Sequence, residues 1–155
     1  MVALDVVEML RFPSDIGAEL RRRNPSSNQR LDPIYLLIHQ HYGIVVTSQE
    51  NEPRSYRIVT GGYSYVIQSN QHREIIAFHW HPRQRSHEHD PHVHIGSAVI
   101  DADSSDIGKT FSRFHIPTGH ISIAQVVRLL LTDFNVVPNR QDWEAMLAGL
   151  LPAET

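Results

Sequence analysis

The chain has no cysteine among its 155 residues, which excludes a disulfide framework and any thiolate metal site, so a metal ion would have to be held by nitrogen and oxygen. It also lacks an excess of basic charge. With 14 Lys and Arg against 17 Asp and Glu, the formal charge is -3, so indiscriminate adhesion to nucleic acid is not expected, although a local basic patch would still serve. No apolar run approaches membrane-spanning length, and no membrane association is expected. The first residues, Met-Val-Ala-Leu-Asp-Val-Val-Glu, carry acids where a secretion signal begins basic, and a cytoplasmic location is the default expectation. There is no internal repeat, and this length suits one domain with a real core.

Histidine, by contrast, is abundant. Of 11 histidines, six fall between Ala77 and Gly96 as three His-x-His pairs. In an extended strand alternate side chains share a face, so His79 and His81 would point one way and Phe78 and Trp80 the other. His92 and His94 would likewise oppose Val93 and Ile95. If the two segments pair, four imidazoles converge on one face with an apolar layer behind them. The middle pair, His87 and His89, lies among Arg83, Arg85, Ser86, Glu88 and Asp90 and reads as a mobile loop, expected to be solvated, with closure over a ligand as the alternative.

The patterning predicts an α+β fold over residues 1–155: a helical N-terminal segment and linker over 1–30, mainly sheet over 31–120, and C-terminal helices over 121–151. The sheet is expected to be antiparallel with about four to five strands. Ser14-Asp15 before Ile16 to Leu20 reads as a capped short helix ending in Arg21, Arg22 and Arg23 at a solvated terminus. Residues 34–42 are apolar and suit either a helix or a strand. Ser55 to Thr60 and Tyr63 to Gln68 read as two strands joined by a tight turn at Gly61-Gly62. Further strands are expected over Glu74 to His81, His92 to Ile100 and Phe111 to Ile116. Ser122 stands three residues before Gln125 as a capping box, opening an amphipathic helix with Ile123, Val126, Val127, Leu130, Leu131 and Phe134 inward. A last helix after Asn139 would place Trp143, Met146, Leu147 and Leu150 in the core.

Two kinds of chemistry fit His79, His81, His92 and His94. As ligands they could hold a divalent ion (Zn, Ni, Mn or Fe), with Asp90, Asp101 or Asp103 as carboxylate ligands or orienters, although each aspartate also suits a turn. An open coordination position would support hydrolysis, and a filled one would only staple the strands. Without metal, one imidazole could take a proton from a nucleophile such as a ribose hydroxyl and another could protonate the leaving oxygen. Arg83, Arg85 or Arg113 would then stabilise the phosphate. A histidine-centred hydrolase or phosphodiester-cleaving protein acting on RNA or a phosphoester is the leading expectation. The alternatives are a non-catalytic metal-binding module and an interaction protein recruiting an operon partner through a sheet edge. Oligomeric state has no sequence signature here.

Known histidine patterns match only in part. His92-Val93-His94-Ile95 resembles the opening of the histidine-triad hydrolase motif, but Gly96 occupies the place of the third histidine. His79-Trp80-His81 resembles the paired metal histidines of a cupin, and Pro117-Thr118-Gly119-His120 is similar to its second segment, without the glutamate and glycine spacing. Two-histidine phosphoesterases carry serine or threonine where this chain repeats histidine. From about Tyr63 to Phe134, the order is a Tyr-x-Tyr strand, a strand ending in a His-bearing aromatic segment, Pro-His-x-His and an amphipathic helix. That order resembles the small TumE-type proteins of bacterial toxin–antitoxin modules. Those proteins have aromatic-Asp-Asn-Ala-Pro-His-His where this chain has Phe78-His79-Trp80-His81-Pro82. The resemblance implies a toxin-like ribonuclease with a cognate antitoxin.

Overall fold

The computed structural model describes residues 6–11, 16–46, 55–82, 88–96, 98–99, 110 and 114–150. They form an open antiparallel sheet with two short helices near the C-terminus. The strands are β1 (Val6–Arg11), β2 (Ile16–Arg23), β3 (Arg30–Val46), β4 (Tyr56–Gln68), β5 (Glu74–Trp80), β6 (His92–Ile95) and β7 (Ile116–Pro117). The order is β1-β3-β4-β5-β6-β7, with β2 also on β3. Since β1 pairs with residues 41–45 of β3 and β2 with residues 30–38, the two lie end to end along one edge of that long strand.

The expected N-terminal helix is instead β2. Its side chains alternate, with Ala18, Leu20 and Arg22 half-buried and Glu19, Arg21 and Arg23 exposed, a period of two that suits a ladder. Only a few apolar residues were on offer for a helix, and pairing with β3 satisfies the backbone groups along one edge instead. Ser14 and Asp15 lie outside the described residues. Arg22 does not cap a helix end; its Nε donates to the Phe134 carbonyl at 2.6 Å. Backbone bonds from Arg23 N to Asn135 O and from Val137 N to Arg21 O tie the C-terminal segment along the free edge of β2.

Residues 34–42 are strand, the interior of β3. Pro33 within that strand is tolerated because the β2 ladder shifts register between Leu20 and Arg22, beside it, where no proline N–H is needed. The Gly61-Gly62 turn does not form. β4 runs straight through, opposing Gly62 to His41 and Thr60 to Tyr42, so Gly61 is the additional residue of a bulge. Gly62 has φ 157, and a Cβ there would come within 2.9 Å of the Trp80 carbonyl. The glycine pair thus serves a kink and a close strand approach rather than a chain reversal.

β6 stops at Ile95 instead of reaching Ile100, because Gly96 N bonds to Ile75 O, Ala98 N to Glu74 O and Val99 N back to Gly96 O. A Cβ at Gly96 would lie 2.7 Å from Glu74 Cβ and overlap the Glu74 carbonyl. No third histidine could therefore occupy the position a histidine-triad motif requires. Of the expected strand Phe111 to Ile116, residues 111–113 lie outside the described residues, and the ladder comprises Ile116 and Pro117.

The capping box forms as expected. Ser122 Oγ accepts from Gln125 N at 3.3 Å, and Gln125 Oε1 accepts from Ser122 N at 2.8 Å, opening helix α1 (Ile123–Thr132). Ala124, Val126 and Leu130 are buried on its sheet-facing side, with Ile123, Leu131 and Phe134 partly so. Val126 and Leu130 join Ile34, Leu36, Tyr63, Tyr65 and Ile67 in the core, with Ile123, Leu131 and Phe134 packed against it. The last helix, α2 (Trp143–Ala148), buries none of its residues. Met146 is 52% and Leu150 67% exposed, against the expectation of core positions. Six residues present only one short edge to the rest of the fold, and Trp143 and Leu147, one turn apart, take it.

Candidate metal centre

Strand parity builds the site. One register line crosses Ile38, Tyr65, Phe78, Val93 and Ile116, an apolar row whose first three residues belong to or pack against the core under α1. The next crosses His39, Ser64, His79, His92 and Pro117 on the opposite face. A third carries Ala77 opposite His94. The alternation that turns Phe78 and Val93 to one side therefore places the imidazoles on the other.

His79, His81, His92 and His94 are brought together as the spacing predicts. Ring centroids of His79 lie 5.1 Å from His81, 5.1 Å from His94 and 5.8 Å from His92, and His92 lies 5.0 Å from His94. Arg83 lies outside the described residues, as do Arg85, His87, Asp101, Asp103 and Arg113. His120 is elsewhere, packed edge-on to Trp80 at 4.2 Å beside the helix-side face, so the cupin-like pairing of its segment with His79 and His81 is not made.

Three histidines that sequence reasoning passed over complete the face. His115, just before β7, sits 4.4 Å from His94 and 4.9 Å from His92 between ring centroids. His39 and His41 form a fourth His-x-His pair, with their Nε2 atoms 2.8 Å apart. The signal for the pair was present, the same two-residue spacing. It was obscured because a helix would have placed residues 39 and 41 on different faces. His115 carried no such spacing, and only the position of its short strand beside β6 reveals it.

The tightest donor set is His92, His94 and His115, whose ligating nitrogens all lie within 4.8 Å of one another. Three nitrogens on a tetrahedral ion with bonds of about 2.0–2.1 Å stand roughly 3.3 Å apart, so small side-chain rotations close the set. His92 anchors it. At 3% exposure it is the buried polar side chain among the described residues, and its Nδ1 lies 2.7 Å from the Asp90 carbonyl oxygen. A carbonyl can only accept, so Nδ1 carries the proton and Nε2 of the neutral ring is left with the lone pair. Such an outer hydrogen bond fixes tautomer and ring orientation for ligation. Asp90 thus acts through its backbone and not through its carboxylate.

The electrostatics favour the neutral form of His79, His81 and His94. Burial, then the charges of His81, His94, His92 and His115, lowers the His79 pKa to about 4. Burial followed by His115, His92 and His81 does the same to His94, also to about 4. His81 is lowered by burial, then by His92, His41 and His39. Neutral imidazoles offer lone pairs without proton competition at neutral pH.

A stability consequence follows. Between the ordinary histidine value of 6.5 and about 4, the unfolded chain takes up protons at positions 79 and 94 that the folded chain refuses. Metal-free protein should therefore lose stability as pH falls through that window, with no further loss from these groups below about 4. Urea midpoints measured from pH 7.5 to 4, for the native chain and for His79→Gln, check this. The variant should show the shallower decline; parallel curves would mean that His79 titrates normally in the fold.

Comparison with family models, curated proteins and solved structures found no match for this chain.

Proposed function

We propose that this protein is a metal-dependent hydrolase in which His92, His94 and His115 hold a divalent d-block ion, with a phosphodiester such as RNA as substrate. The observation that carries this reading is the buried His92, locked by the Asp90 carbonyl in the tautomer that presents Nε2, within a set of three donors. Three imidazoles leave a coordination position for water or substrate, the arrangement of catalytic rather than purely structural sites. An all-nitrogen set, with no carboxylate in it, favours zinc or nickel over manganese. The bound ion would supply Lewis acidity and an acidified water.

His79 stands beside the set without belonging to it. Burial and the neighbouring imidazoles lower its pKa to about 4, so it is placed to orient water or substrate at the ion by a hydrogen bond rather than to abstract a proton. The same low basicity counts against the metal-free alternative. An imidazole titrating near 4 is almost wholly neutral at pH 7 and has no proton to give a leaving oxygen. The phosphodiester preference and a cognate antitoxin rest on the resemblance to TumE-type proteins.

The experiment is cleavage of a fluorogenic RNA and of bis(p-nitrophenyl) phosphate by purified protein, before and after chelation, with zinc or nickel added back. Chelation should abolish turnover and the returned ion should restore it. Turnover indifferent to chelator would transfer the chemistry to the imidazoles alone. Stoichiometric metal with no cleavage of either substrate would leave a binding module.

A further inference from the structure

We propose that the same sheet face carries a second metal position, formed by His39, His41 and His81. It shares none of its three donors with the first set, so each position can be lost without the other.

The bite is already set. His39 and His41 flank Gln40 on β3, are half-buried, and hold their Nε2 atoms 2.8 Å apart. Neighbouring nitrogens on one ion with bonds of about 2.0 Å stand roughly 2.8 Å apart in a tetragonal site and 3.3 Å apart in a tetrahedral one. The contact as it stands requires one ring to donate from Nε2 and the other to accept. Moving that proton to Nδ1 of the donor ring, through solvent, frees both Nε2 lone pairs with no net loss of a proton.

The third donor comes from across β4. On this face β4 presents Gly62 opposite His41 and Ser64 opposite His39, both small residues. Tyr63 pairs with Trp80, so the residue following Trp80 comes level with Gly62. A Cβ at Gly62 would meet His41 Cδ2 and Pro82 Cδ, each at 3.7 Å, so the His41 ring and the residue next to His81 converge over the glycine. His81 itself is on the histidine face, with Nε2 at 3.1 Å from His79 Nδ1 and its ring 6.1 Å from that of His92. The result is a trough with a small-residue floor and imidazoles on both walls, which the His81 ring, bonded to His79 Nδ1 as it stands, would swing across to complete the set. Three imidazole donors select a borderline cation such as zinc, copper or nickel.

The test is titration of chelator-treated, full-length protein with zinc chloride, read by calorimetry and by elemental analysis after dialysis. Two equivalents per chain are expected. His39→Gln and His41→Gln should each remove one equivalent and keep the other, and Ser64→Leu, which fills the trough without replacing a donor, should do the same. His115→Gln should remove the complementary equivalent, and His120→Gln neither. Retention of one equivalent with unchanged circular dichroism shows that a variant has folded. A single equivalent that His115→Gln abolishes and that His39→Gln, His41→Gln and Ser64→Leu all leave intact would overturn the second position and leave the first standing. A second equivalent that survives all three variants would overturn it equally, as adventitious binding elsewhere.

Discussion

His115→Ala should cost on the order of 100-fold or more in metal affinity at the first position and in turnover, while leaving the fold as stable as before. Loss of groups that merely orient a ligand typically costs about 10–100-fold, and His115 is proposed as a ligand itself. It is the exposed member of the set, whereas His92 is buried and His94 half-buried. Surface substitutions of this kind usually change stability by less than about 0.5 kcal/mol. The variant therefore separates function from folding, which His92→Ala, leaving a hole beside the Asp90 carbonyl, would not. Metal content after dialysis, turnover and the urea midpoint on one preparation decide the matter. A fully metallated, active His115→Ala protein would remove His115 from the site.

Leu130→Ala should destabilise the domain by about 2–5 kcal/mol, because Leu130 is 2% exposed and sits among Ile34, Leu36, Tyr65 and Val126, where truncation leaves a cavity. Met146→Ala, on the exposed side of α2, should cost less than about 0.5 kcal/mol. Chemical denaturation of both variants measures the contrast. Similar values for the two would mean that α1 is not seated on the sheet as described.

The sheet's helix-side face and the histidine face were both readable from alternation in Phe78 to His81 and His92 to Ile95, since period two has one structural meaning once strands are assumed. The capping box at Ser122 and Gln125 was equally plain, because its hydrogen bonds join residues three apart. What was not legible depended on partners distant in sequence. β2 resembles a short capped helix until β3 is placed beside it, and the apolar run from Ile34 had no periodicity that excluded a helix. Gly61-Gly62 carries a hairpin signal, and only the approach of the Trp80 backbone shows why glycine is needed in a continuous strand. With residues 34–42 open to either helix or strand, His39 and His41 were concealed as well, since their shared face exists only in the extended chain. His115 had no local signature at all. It enters the site because Ile116 pairs with Val93, which brings the preceding residue opposite His94.

The central claim, an ion held by His92, His94 and His115, is tested most directly by anomalous diffraction on either side of the zinc absorption edge, from crystals of protein loaded with zinc and then dialysed. The account predicts an edge-dependent peak about 2.0–2.1 Å from one nitrogen of each of these three rings, with Nδ1 of His92 still bonded to the Asp90 carbonyl. Well-ordered density for the three imidazoles with no anomalous peak between them would contradict it.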